Sequence, residues 1–274
     1  PARVWEFDRA TGNLLRDLPI TFSNPFMNGM RAASCLTFGP DGALYVIEAF
    51  TGVIRMSLDP ANSQSLYATF PPPASPIGAL LNDLDFDAAG NLYVTDSFGG
   101  IIYKIPPAGG PATPWFQDPR LLGHPAFPFG VNGLRVDQQK NRLVFAVTVR
   151  QDFSGAIYTL PLTPAPTPAD LAELHVFQPS AEVPLPGPDG LELAKNGRVY
   201  VALAGPSQIA VLNPDGTPYR TYSGPAGAFP WANPANIAFD DAANRILFTN
   251  HASLVPYDPN LFAVIDVAVN DKGN

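Results

Sequence analysis

Asn82-Asp83-Leu84-Asp85-Phe86, the turn Asp87-Ala88-Ala89-Gly90, and Asn91-Leu92-Tyr93-Val94-Thr95 decide the fold of this chain. Apolar and polar residues alternate on either side of a turn that carries Asp and Gly. Two half-buried strands joined as a hairpin follow from that pattern. The unit recurs. Ser34-Cys35-Leu36-Thr37-Phe38 precedes Gly39-Pro40-Asp41-Gly42 and Leu44-Tyr45-Val46-Ile47. Asn132-Gly133-Leu134-Arg135-Val136 precedes Arg142-Leu143-Val144-Phe145, and Asp189-Gly190-Leu191-Glu192-Leu193 precedes Arg198-Val199-Tyr200-Val201. The last copy is Ala235-Asn236-Ile237-Ala238-Phe239 with Arg245-Ile246-Leu247-Phe248.

A third strand follows each hairpin, as in Gly100–Ile105 and Gly155–Leu160, and a weaker fourth, as in Thr113–Phe116. Four short strands per unit, repeated about every 50 residues, are the signature of a β-propeller with four-stranded antiparallel blades. Five inner strands are countable, which leaves five or six blades open. Val4–Asp8 and Leu14–Arg16, joined by Thr11-Gly12-Asn13, read as the outer two strands of a further blade, and the last unit shows three strands, ending in Phe262–Val267. The whole of 1–274 reads as one propeller domain. Thr167-Pro168-Ala169-Asp170 suits one short helical turn.

Bulk composition agrees. Apolar residues make up 46% of the 274, charged residues only 15%, and 32 prolines and 23 glycines are scattered rather than clustered. Net charge is −8, and the four lysines (Lys104, Lys140, Lys195, Lys272) lie far apart. No basic stripe exists to bind nucleic acid, and no apolar run reaches the length of a membrane span. Cys35 is the single cysteine, so no disulfide forms within the chain. The sequence opens at Pro1 rather than Met; removal of a leader would favour a secreted or periplasmic location. Oligomeric state is not legible, and phosphate loops, zinc signatures and dinucleotide fingerprints are absent.

In a propeller the start of each inner strand and the end of the antiparallel second strand meet at one rim. The first residues of the five inner strands are Ser34, Asn82, Asn132, Asp189 and Ala235. Equivalent positions converge on the channel axis, and amide and carboxylate oxygens meeting there suit Ca²⁺, or less distinctively Mg²⁺ or Mn²⁺. Taken singly, each is as readily a turn residue bonding its own backbone. Asp83 reads as a structural hydrogen-bonding group. The rim loops are rich in Phe and Pro, as the wall of a small-molecule pocket would be.

Other candidates lie on the same rim. His251, just past Ile246–Asn250, is a candidate general acid or base. His124 is placed to touch substrate, and so is Ser34, which lacks a sequence signature for a nucleophilic triad. Arg150 and Asp152 either recognise a polar substrate or form a solvated pair. His175 belongs to an outer strand and reads as structural, and Cys35 as a buried packing thiol.

Asn82-Asp83-Leu84 with Tyr93-Val94-Thr95-Asp96-Ser97, Val131-Asn132-Gly133-Leu134 and Pro188-Asp189-Gly190-Leu191 resemble the gluconolactonase family, also called the senescence-marker or regucalcin family, and more distantly the paraoxonases. The resemblance implies a six-bladed propeller and one divalent ion, usually calcium, at the top of the channel. It implies Asn132 and Asp189 as metal ligands, Asn82 as a contact of metal, substrate or both, and Asp189 as a possible general base. The activity implied is hydrolysis of a lactone or related ester. One departure stands out: the family's metal-binding Glu opens an inner strand, and no inner strand detected here begins with Glu. Two amides and one carboxylate carry a single formal charge, which predicts weak Ca²⁺ binding. Glu182, in a rim loop, is a weak substitute. Two other classes therefore stay open: a metal-independent enzyme on this scaffold, of the strictosidine-synthase, lyase or isomerase kind, and a propeller that binds without catalysing.

Overall fold

The structure is a computed structural model, and it describes residues 2–21, 33–48, 51–59, 61–73, 75–224, 230–251 and 261–274. Strands are numbered in chain order. β1 (Arg3–Phe7) and β2 (Leu14–Pro19) form a two-stranded sheet. The first blade is β3 (Ala33–Phe38), β4 (Leu44–Glu48), β5 (Gly52–Met56) and β6 (Gln64–Thr69), in sequential order. β7 (Leu81–Phe86), β8 (Leu92–Asp96), β9 (Ile101–Ile105) and β11 (Thr113–Gln117) make the second. The short β10 (Gly110–Pro111) leaves that blade to run parallel to β6 of the first. The third blade is β12 (Val131–Asp137), β13 (Arg142–Val147), β14 (Gly155–Pro161) and β15 (Ala172–Phe177). The fourth is β16 (Pro188–Leu193), β17 (Val199–Leu203), β18 (Gln208–Leu212) and β19 (Pro218–Ser223); the fifth has β20 (Pro234–Asp240), β21 (Arg245–Asn250) and β22 (Ala263–Ala268).

The all-β propeller with four-stranded antiparallel blades is thus present, with five blades among the described residues where the resemblance had favoured six. The expected short turn is a 3-10 turn at Pro168–Asp170, with Thr167 and Asp170 forming a capping box.

Turn chemistry explains why the hairpins form. All five turns between inner and second strands contain one residue in the left-handed region: Gly42 (φ 76°), Gly90 (80°), Asn141 (49°), Gly197 (82°) and Asn244 (54°). Gly and Asn are the residues that enter this region at least cost. In the second blade the Asp87 carboxylate also accepts from the backbone N–H groups of Ala89 and Asn91, which closes the turn.

The second strands differ from the expected half-buried pattern. β4, β8 and β17 are buried at every residue. A blade is covered on both faces, so alternate residues of one strand serve two different cores. In β13, Leu143, Phe145 and Val147 pack toward the second blade, while Val144 and Ala146 pack toward the fourth. Four apolar clusters fill the interfaces between successive blades, and a fifth packs Val4, Leu18 and Ile20 of the β1–β2 region on Leu44, Val46, Ile54 and Met56 of the first blade.

Each inner strand carries an irregularity at the same place. In β7, Leu81 pairs with Asp96 and Leu84 with Val94, so Asn82 and Asp83 together oppose Thr95. The same two-against-one step falls at Ser34/Cys35, Asn132/Gly133, Asp189/Gly190 and Ala235/Asn236. These are β-bulges, which bend a strand and re-aim its side chains. Gly133 and Gly190 are the second residues of two of them. A Cβ at Gly133 would lie 2.4 Å from the carbonyl oxygen of Asp189, and one at Gly190 2.4 Å from that of Ala235. Neighbouring inner strands approach too closely there for any side chain.

Candidate functional site

One polar side chain from each inner strand joins a chain of contacts around the axis, with Cys35, Asp83 and Asn236 in the bulges and Arg135 and Glu192 just beyond them. Arg135 donates to Asp83 at 2.9 Å, to Glu192 at 3.0 Å and to Asn236 at 3.3 Å. Asn236 donates to the Cys35 sulfur, and the Cys35 thiol donates to Asp83 at 2.8 Å. Asp83 also accepts from the backbone N–H of Leu134, and Asp85 accepts from that of Val136. The β7 carboxylates thereby satisfy amides on the free edge of β12 that no strand pairs with. Asp83 is structural, as expected. Cys35 is not a plain packing thiol: it is a member of this polar circuit. Burial, and then the Asp83 charge, push its pKa well above the ordinary value, so it stays protonated.

Above this circuit stand the residues that open the strands. Asn132 is 4% exposed. Its amide nitrogen donates to Thr148 Oγ1 at 2.8 Å and hydrogen-bonds the Asp189 carboxylate. Asn132 Oδ1 is buried with no hydrogen-bond partner. A buried carbonyl oxygen left without a donor costs roughly 1–3 kcal/mol. Asp189 lies beside it. Burial, followed by the charge of Asp83, raises its pKa to about 7, against the lowering effect of the Asn132 bond. Asn82 donates its amide to Ser97 Oγ at 3.0 Å. The structure thus joins Asn132 and Asp189 directly, and holds Asn82 at the equivalent place one blade earlier. Their oxygens fit a hard, oxygen-seeking cation, which would occupy the acceptor that Asn132 leaves open and offset the burial of Asp189.

The remaining candidates are spread around the rim. Ser34 Oγ donates to the carbonyl of Leu81 at 2.9 Å, so its proton links the first two blades. His251 immediately follows β21, in the position that Ser97 and Thr148 hold after β8 and β13. Desolvation lowers its pKa, which keeps the imidazole neutral near pH 7. His124 accepts from the backbone N–H of Ala126 through Nδ1 and packs on Phe153 with ring centroids 4.1 Å apart. Phe98, Phe127 and Phe129 continue this aromatic wall. Arg150 is paired with Glu173 of the outer strand β15 at 3.1 Å, and not with Asp152, which accepts from Ser154. Glu182 is exposed in its loop. His175 is half-buried in β15. The rim loops at 24–30 and 252–257 and residue 229 lie outside the described residues.

Arg135, Glu192 and Asn236 were not singled out by the sequence reading. A signal was available, because they occupy repeat positions one or three residues after the strand openers. The repeat alone does not say which side chains of different blades reach one another.

The mouth of this propeller channel thus carries amide and carboxylate side chains from successive inner strands. This chain belongs to the family described as the SMP-30/gluconolactonase/LRE-like region, which matches residues 4–253. No curated protein matches it. Among solved structures it is similar to regucalcin, a calcium-binding protein from Agrobacterium tumefaciens, with a TM-score of 0.67 and 16% identity over 99% of this chain and 84% of that one. It is similar to a gluconolactonase from Xanthomonas campestris (TM-score 0.57, 17% identity, 80% of this chain and 69% of that one). A virginiamycin B lyase from Staphylococcus aureus has the same fold at TM-score 0.55 and 16% identity, over 98% of this chain and 78% of that one. At these identities the structural likenesses establish the fold.

Proposed function

We propose that this protein is a hydrolase of a lactone or related ester, working at the channel mouth with an oxygen-bound divalent cation, calcium by ligand type. The observation that carries the reading is the buried, partnerless Oδ1 of Asn132 beside the Asp189 carboxylate. Family membership and the likeness to gluconolactonase and regucalcin folds support it. Asn132 and Asp189 would hold the ion, with Asn82 contributing to the ion or the substrate. Bound there, the cation would supply Lewis-acid polarisation of the substrate carbonyl. The Asp189 carboxylate is the proposed acceptor of a proton from an attacking water. His251 is the second candidate for moving that proton, and His124, Arg150 and Ser34 are proposed contacts of the substrate. The Phe98, Phe127, Phe129 and Phe153 wall would exclude water from one side. One formal charge among three oxygen donors predicts weak binding, at the level of extracellular calcium modules.

Calcium titration by calorimetry, with hydrolysis of a lactone and aryl-ester panel followed in parallel, tests this. About one site per chain, lost in Asp189→Ala together with hydrolysis, is expected. Absence of both binding and hydrolysis in the wild-type protein would overturn the proposal. A second reading keeps the scaffold without the ion, as a lyase or isomerase. The neutral His251 on the rim favours it, and it would survive if His251→Ala alone abolished turnover.

A further inference from the structure

We infer that Ser97 and Thr148 are positioning residues whose hydroxyls receive the amide nitrogens of Asn82 and Asn132 and leave the two side-chain oxygens as the atoms offered to a cation. The inference rests on the proposed function for its ligand, and on the hydrogen bonds for its geometry. Ser97 is fully buried. Its hydroxyl donates to the carbonyl oxygen of Val131 at 2.7 Å. A serine has one hydroxyl proton, so toward Asn82, 3.0 Å away, Ser97 Oγ can only accept. The Asn82 atom against it must be the NH₂ group, and the carbonyl oxygen is what remains to offer. Val131 is the residue before Asn132, so the same hydroxyl ties the strand that carries the second amide.

The repeat supplies an internal control. Ser97 and Thr148 occupy the position just after the second strand of their blades. Both blades open their inner strand with Asn, and in both a hydroxyl at this position receives the amide at 3.0 or 2.8 Å. The next two blades open with Asp189 and Ala235, and carry Ala204 and His251 there instead. A carboxylate has no nitrogen to place against a hydroxyl and alanine has no polar group, so neither needs one. The hydroxyl accompanies the amide, which a general packing role for this position would not require.

Thr148→Val removes the hydroxyl at constant shape, Thr148→Ser keeps it, and Ser97→Ala removes its counterpart. Calcium affinity by calorimetry is expected to fall about ten- to a hundred-fold in Thr148→Val and Ser97→Ala, and to stay near wild type in Thr148→Ser. In the metal-free protein, the Asn132 side-chain NH₂ resonances are expected to shift and exchange faster in Thr148→Val but not in Thr148→Ser. Unchanged Asn132 resonances in Thr148→Val, or equal loss in the Val and Ser variants, would overturn the inference. If the wild-type protein neither binds calcium nor hydrolyses the panel, the proposed function falls while the NMR comparison still decides the orientation of the amides.

Discussion

Asp189→Asn is expected to stabilise the metal-free protein. The carboxyl has a pKa of about 7 in the fold, because burial and the neighbouring Asp83 disfavour its charge. An unfolded Asp titrates near 3.9. The folded state therefore holds the proton more tightly, and stability is lost as pH rises between those values. A difference of about three units corresponds to about 4 kcal/mol at full ionisation. The side chain is only partly covered at the mouth of the channel, and water there reduces the figure to about 2 kcal/mol. Asparagine matches the shape, still accepts from Asn132, and does not ionise. Urea unfolding of both proteins with chelator, from about pH 5 to about pH 8, isolates the effect because every other group is common to the pair. The variant's advantage should be about a third of its full size at about pH 5 and grow to about 2 kcal/mol at about pH 8. An advantage that stays flat across this range, or a variant that is less stable at the alkaline end, would refute the assignment of a buried, charge-strained carboxyl to Asp189.

Calcium reverses the comparison. At a hundred-fold excess over Kd it should add about 2.7 kcal/mol to the wild-type protein, read as a shift in the urea midpoint, and much less to Asp189→Asn. Gly133→Ala should cost about 1–3 kcal/mol, since its Cβ meets the backbone of Asp189 and Gly190 rather than a side chain that can move; a melting temperature equal to wild type would argue against the tight inner ring. Asp83→Ala should cost about 1–3 kcal/mol by removing one of the two carboxylates that Arg135 bonds and leaving the Leu134 N–H unpaired. That loss should change little with salt, in contrast to an exposed ion pair.

The blades were legible because each hairpin is written locally, in alternation and in a turn residue that tolerates positive φ. Asn91 and Gly90 beside Asp87 announce a turn without reference to the rest of the chain. What lies between blades was less legible. Strand Leu143–Val147 is apolar at every position, which a half-buried strand does not need, and it is buried throughout because two neighbours share it. Arg150 is two residues from Asp152 but pairs with Glu173, 23 residues on, since the hairpin of β14 and β15 brings that strand back. The strand-opening amides were found from repeat position alone. Their orientation was not, because it depends on where the Ser97 proton goes. Cys35 looked apolar for a similar reason: its partners, Asp83 and Asn236, are 48 and 201 residues away.

The bulge repeated in all five inner strands separates what the scaffold demands from what the chemistry uses. The ladder on either side of it is the same in every blade, yet the residue pairs seated in it are Ser-Cys, Asn-Asp, Asn-Gly, Asp-Gly and Ala-Asn. Five different fillings of one backbone socket mean that its contents vary while the ladder does not, constrained where an adjoining strand crowds Gly133 and Gly190 and where Cys35, Asp83 and Asn236 bond across to their neighbours. A fold built this way can acquire, lose or swap a ligand at its mouth by a single exchange, without relearning how to fold.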